Sequence, residues 1–80
     1  MEVIVKTLGN INFCTKLKKT DHLKIELEKG STLMDLIVAI EIPSKNIPYY
    51  NFLINGKQAH KKETLKDGDE VIIFPAVGGG

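Results

Sequence analysis

The last three residues of the sequence are Gly78, Gly79 and Gly80, so the terminal carboxylate stands on an unhindered stretch of chain. Taken alone, such a run reads equally as a frayed end or as a tail that works in a partner's site, because glycine-rich ends are mobile. The single thiol, Cys14, is a second candidate, since a thiol can carry a persulfide. No basic residue adjoins it until Lys16, and a lone cysteine beside Phe13 is more often a packed hydrophobe. His22 and His60 are far apart and lack a second ligand nearby, so metal binding is not expected and both read as surface residues. Lys16, Lys18 and Lys19 form the densest positive run, which reads as a solvated loop or as steering toward an acidic partner. Nothing resembles a nucleophile–base pair or a phosphate-binding glycine loop.

The rest of the composition narrows the function classes. Eighty residues allow one small domain. Such a domain buries only about 60–65% of its unfolded surface, enough for a sheet and a helix and hardly enough for a deep catalytic cavity. An independent enzyme is therefore not expected; a carrier or binding module is. Hydrophobic residues at 42% and charged residues at 26% argue for a folded chain. A formal charge of +1 gives no basic field to hold a nucleic-acid backbone or an anionic membrane. The apolar runs are too short to span a bilayer, and no signal peptide is expected. One cysteine forbids an internal disulfide, in keeping with a reducing, cytoplasmic setting.

These residues need a frame, and the periodicity supplies one. Glu2 to Leu8 is rich in β-branched residues and ends at Gly9-Asn10, a strand and a turn. In His22 to Glu28, Leu23, Ile25 and Leu27 alternate with charged residues, a half-buried strand. Leu33, Leu36, Ile37 and Ile40 then fall on one stripe of a helix. Ser31 or Thr32 caps it, with Asp35 placed for a capping box, and Pro43 ends it near Glu41. Pro43 to Tyr50 reads as an irregular connection. Asn51 to Ile54 enters the hairpin signal Asn55-Gly56, and Lys57 to His60 is the return strand. After the Asp67-Gly68-Asp69 turn, Val71 to Phe74 is apolar throughout and belongs at the centre of the sheet.

With one helix, only one face of the sheet can be covered. Val3, Val5, Leu23, Ile25, Leu27, Val71 and Ile73 point at the helix. Ile4, Ile72 and Phe74 then point the other way and form an exposed apolar patch, the mark of a docking surface. The alternative is that Tyr49 and Tyr50 fold over and cover it.

The order and endings of these elements resemble a ubiquitin-like β-grasp protein over essentially the whole length. Met1 to Leu8 resembles the first strand of ubiquitin, and Leu53-Ile54-Asn55-Gly56-Lys57-Gln58 resembles a ubiquitin hairpin. Leu65 to Gly80, running from Asp67-Gly68-Asp69 through Val71-Ile72-Ile73-Phe74-Pro75 to Gly79-Gly80, is similar to the closing motif of the MoaD/ThiS-type sulfur carriers. The ending departs from the molybdopterin type at Ala76, where a second proline is common, and at Gly78, where a larger residue is usual. The fold implied is α+β, a mixed sheet of four to five strands with one helix on one face. Residues 1–75 form the domain, and residues 76–80 form a flexible tail.

The resemblance implies a carrier whose Gly80 is adenylated by an E1-like enzyme, with ATP bound by that partner and no cofactor bound by this chain. Sulfur then converts the adenylate to a thiocarboxylate that serves cofactor synthesis. Molybdopterin is favoured, as for the small subunit of a synthase with a larger partner subunit; thiamin synthesis and tRNA thiolation stay open. Gly79 is the neck beside Gly80, and Val77 and Gly78 meet the partner with it. Leu8, Leu53 and Phe74 match the positions of ubiquitin's recognition patch, with Ile4 at its edge. Resemblance to archaeal modifiers implies a second use, an isopeptide bond from Gly80 to target lysines. A third reading is a β-grasp binding module, not conjugated, with an inert tail. A monomer without nucleic-acid or membrane partners is expected.

Overall fold

The computed structural model describes residues 1–8 and 22–76. Gly9-Asn10, Cys14, the Lys16–Lys19 run and the tail residues Val77, Gly78, Gly79 and Gly80 lie outside the described residues. Within the described residues five strands and one α-helix follow in the order β1 (Glu2–Thr7), β2 (His22–Glu26), α1 (Leu33–Ala39), β3 (Tyr50–Ile54), β4 (Lys57–Gln58) and β5 (Glu70–Pro75). The sheet order is β2-β1-β5-β3-β4. β5 pairs parallel with β1 and antiparallel with β3, so the most apolar strand is central, as its composition requires.

Alternation divides the sheet into two faces. Val3, Val5, Val71 and Ile73 have no exposed surface, and Phe52 joins them from β3. Leu33, Leu36, Ile37 and Ile40, the predicted helical stripe, pack on this face and are buried as well. Fully burying a side chain of this kind contributes about 1.5–3 kcal/mol. Leu23, Ile25 and Leu27 pack against the core but stay half-buried, because β2 is an edge strand. Ile42, Ile47 and Leu65, absent from the expected core, complete it from segments outside the strands and α1.

The ends of α1 follow from local chemistry. Thr32 and Asp35 form the expected capping box: Thr32 Oγ1 accepts from the Asp35 N–H, and Asp35 Oδ2 accepts from the Thr32 N–H at 2.8 Å. At the other end Ile40 is the cap, and Glu41 adopts φ 65°. The Glu41 N–H donates to Val38 O and the Ile42 N–H to Ile37 O, the paired closure usually made with glycine. The connection expected to be irregular is instead a 3₁₀ helix, Ser44–Tyr49, with Pro48 inside it. Buried Ile47 anchors it to the core, which fixes a segment that its two prolines alone leave open.

The Asp67-Gly68-Asp69 turn joins three strands. Asp69, the buried polar residue of the core, accepts from the Lys66 N–H and from Asn55 Nδ2, both at 2.8 Å. Asn55 Oδ1 in turn accepts from the Glu70 N–H at 3.0 Å. Asp67 Oδ1 accepts from the Glu2 N–H at 2.7 Å, and the Gly68 N–H donates to Glu2 O. Asn55 and Gly56, at φ 51° and 84°, make the turn between β3 and β4 whose twist suits a two-residue hairpin. No buried side-chain polar atom among the described residues lacks a partner.

Two stability changes follow. Asp69→Ala strips partners from Lys66 N and Asn55, and urea unfolding should show a loss of about 2–3 kcal/mol. Glu41→Gly relieves the left-handed backbone and removes a negative charge from the helix C-terminus; the same measurement should show a gain of about 0.5–1 kcal/mol.

Candidate functional site

The face of the sheet away from α1 is built row by row from the strand register. Its middle row runs Lys6, Ile72, Leu53 and Gln58 across β1, β5, β3 and β4. The upper row holds Phe74 opposite Asn51. The Leu8 N–H donates to Ile73 O at 2.9 Å, which extends the parallel ladder one residue past β1 and brings Leu8 alongside Phe74. The lower row runs Lys24, Ile4 and Glu70. Directly opposed side chains on neighbouring strands stand about 5 Å apart at Cβ, so Leu53 and Ile72 form one apolar unit.

Leu8, Leu53, Phe74 and Ile4 thus share the face that sequence alternation and resemblance assigned them. Leu8 is the most open of them, at 57% exposure; Leu53, Phe74 and Ile4 are half-buried. Ile4 lies at the margin, with Lys24 and Glu70 on either side and Lys6 next along its own face of the strand. Tyr50 does not fold over this patch: it lies on the helix side of β3 with Phe52 and packs against the core. Tyr49 stays 68% exposed.

Two features of the face went unassigned at the level of sequence. Ile72 was placed on the open face by alternation, yet only the register puts it at the centre, between Lys6 and Leu53. The ammonium of Lys6 lies 2.9 Å from Glu70 Oε2, with both side chains more than a third exposed. This ion pair bounds the apolar patch on the β1 side and adds little stability, since water screens it. The signal that finds both is the pairing partner of each odd and even residue, which a single strand does not carry.

The chain leaves the sheet beside this patch. Parallel pairing makes β5 run in the direction of β1, so Pro75 and Ala76 emerge at the end occupied by Leu8 and Tyr50. The Ala76 N–H donates to Tyr49 O at 2.9 Å, and this bond holds the last described residue against the domain. Gly79 and Gly80, together with Val77 and Gly78, continue from there outside the described residues.

Other sites are closed by the chain itself. The first N–H groups of α1, from Leu33 and Met34, donate to Glu63 O and Lys61 O, and that of Asp35 goes to Thr32. This helix end therefore has no donors to offer a phosphate. His60 is exposed, and no group of three potential metal ligands exists among the described residues. No described helix is long and apolar enough to cross a membrane. The described residues form a partly exposed apolar face, with the chain leaving the sheet at its edge.

Comparison with known proteins agrees with this architecture. The ThiS family model matches residues 11–80. A Pyrococcus furiosus protein assigned as molybdopterin converting factor, subunit 1, is 30% identical with a TM-score of 0.76, covering 95% of this chain and 98% of its own. Small archaeal modifier protein 1 from Methanosarcina acetivorans is 26% identical, with a TM-score of 0.68 and coverage of 99% and 96%. A chain of the complex of subunits 1 and 2 of the molybdopterin-converting factor from Helicobacter pylori has the same fold, with a TM-score of 0.64 at 23% identity and full coverage of both chains. No curated protein sequence matches.

Proposed function

Because this chain belongs to the ThiS family, we propose that it is a sulfur carrier that works through a thiocarboxylate at Gly80. The observation that carries this reading is the family match running through residue 80 of a chain that leaves the sheet beside an apolar face. A carboxylate is a poor electrophile because oxide does not leave. An E1-like partner supplies ATP: the Gly80 carboxylate attacks the α-phosphorus, pyrophosphate departs, and an acyl adenylate forms. A sulfide-level nucleophile then adds to the carbonyl and AMP leaves, giving the thiocarboxylate. This chain binds no cofactor in the cycle. Gly79 and Gly80 lack a Cβ, so the carbonyl is open to attack and the tail fits a narrow channel.

Inserting the tail costs ordering entropy, and the open face offsets it. Leu8, Leu53, Ile72 and Phe74 supply apolar contact for the activating enzyme, and Val77 and Gly78 enter with the tail. Similarity to the Pyrococcus protein assigned as molybdopterin converting factor, subunit 1, supports molybdopterin synthesis as the destination. By analogy with the Helicobacter complex of subunits 1 and 2, a larger synthase subunit is the second partner on this face. Thiamin synthesis and tRNA thiolation are the other outlets of the same chemistry. The carrier acts as a cytoplasmic monomer between enzymes and catalyses no step itself. Similarity to the Methanosarcina modifier supports a second reading, in which a target lysine attacks the adenylate and Gly80 forms an isopeptide bond.

Intact-mass analysis of the protein from its native host separates these readings. The carrier shows replacement of one oxygen by sulfur, lost when Gly79 and Gly80 are deleted; the modifier shows a ladder of conjugates. If neither species appears and the deletion leaves the host phenotype unchanged, the tail is inert and the domain is a binding module.

Phe74→Asp tests the face. Binding to the E1-like enzyme of the same host should weaken by about tenfold or more while the circular dichroism spectrum is retained. Unaltered affinity would remove the open face from the mechanism.

A further inference from the structure

A second surface lies on the other flank of the sheet. Along the β3–β4 edge an open groove of about 1080 Å³ runs between the 3₁₀ helix and the chain that follows β4. This volume exceeds what one side chain fills and suits several residues of an extended peptide. Its apolar lining comes from Ile47, Pro48, Tyr50 and Phe52, all on or beside the helix face of β3. None of Leu8, Leu53, Ile72 and Phe74 lines it.

The wall opposite is basic. Lys61, Lys62 and Lys66 line the groove against a single acid, Glu63, and all four are exposed. The ion pairs among the described residues are Met1 with Glu26 and Lys6 with Glu70, so these three ammonium groups are unpaired there. In a chain of net charge +1, this is a local concentration of positive charge. Its backbone is also fixed. Met34 N donates to Lys61 O, Leu33 N to Glu63 O and Leu65 N to Ser31 O, and Thr64 bridges to Thr32. The lysines are thus presented from a segment tied to the start of α1, which lowers the ordering cost of a ligand that meets them.

We infer that this groove is a docking site for an extended acidic segment of a partner protein, one that places apolar side chains on Pro48 and Tyr50 and carboxylates against Lys61, Lys62 and Lys66. Charge complementarity selects the occupant: three unpaired ammonium groups over an apolar floor fit Asp or Glu alternating with Leu or Ile. The site is independent of the chemistry at Gly80. A partner held here meets the margin of the open face at Asn51 and Gln58 and leaves Leu8, Leu53, Ile72 and Phe74 outside the groove.

The test uses the full chain, ¹⁵N-labelled, and a fluorescein-tagged synthetic peptide in which Asp and Glu alternate with Leu and Ile. Expected are saturable binding that weakens with added salt and amide shifts centred on Tyr50, Phe52, Lys61 and Lys62. The triple change Lys61→Glu, Lys62→Glu, Lys66→Glu should weaken affinity by at least about tenfold, and Phe74→Asp should leave it unaltered. Should the triple variant unfold, Lys61→Ala with Lys62→Ala gives the same readout in smaller measure. The proposal fails if the peptide does not bind, if its Asn/Gln counterpart binds equally, or if the shifts gather on Ile72 and Phe74. Tighter binding of a single-stranded RNA of matched charge would also overturn it, assigning the groove to nucleic acid.

Discussion

The parallel pairing of the first strand with the last is the constraint on which the rest of this structure depends. β1 and β5 are joined by more than sixty residues of chain, and the loop-closure entropy of bringing them together is recovered only through contacts they make jointly. Val3, Val5, Val71 and Ile73 provide the apolar part, with no surface left exposed. The Asp67–Asp69 turn provides the polar part, since its carboxylates and backbone reach Glu2, Ile4, Lys66 and Asn55 within one short segment. A motif that looks from its composition like a surface turn is a clasp. It fixes the entry of β5, the start of β1 and the hairpin of β3 and β4 at one place.

Direction follows from the same pairing. Because β5 runs parallel to β1, the end of the chain leaves beside Leu8 and Phe74 and away from the clasp. Among the described residues one α-helix packs on one face, so alternation in β1, β3 and β5 assigns the other face to Ile4, Lys6, Leu53, Ile72 and Phe74. That face sits next to the exit of the tail. Under the proposed function this proximity matters energetically: a short glycine-rich segment binds weakly by itself, and an adjacent apolar face contributes affinity without hindering the reacting carbonyl. On the proposed reading the small core has only to hold a shape, and the water-excluding site is the partner's.

Much of this was legible along the chain. Period-two alternation in Leu23, Ile25 and Leu27, the stripe Leu33, Leu36, Ile37 and Ile40, the Thr32–Asp35 capping box and the Asn55-Gly56 turn are local signals, written within a few residues of one another. They name the elements and the fold class. Less legible were Ile42, Ile47 and Leu65, which are buried although they stand in no regular pattern. The 3₁₀ helix is held by Ile47 reaching the core, and Glu41 adopts a glycine-like conformation because Ile42 must follow Ile37 inward. The burial of Ile42, Ile47 and Leu65 is settled by packing in the core that no local pattern announces.

The division for the site is similar. The sequence alone determined that Ile4, Ile72 and Phe74 fall on the face away from the helix, because side-chain direction alternates strictly along a strand, whereas Leu8 and Leu53 are expected there only from the resemblance. It also determined a glycine-rich end behind an apolar strand. Tertiary structure decided which of these residues touch. The register set Ile72 between Lys6 and Leu53, joined Lys6 to Glu70, and brought Lys61, Lys62 and Lys66 to the rim of a groove floored by Tyr50 and Phe52. Periodicity is a property of one strand or one helix, whereas adjacency is a property of their pairing, and that is fixed only when the core closes.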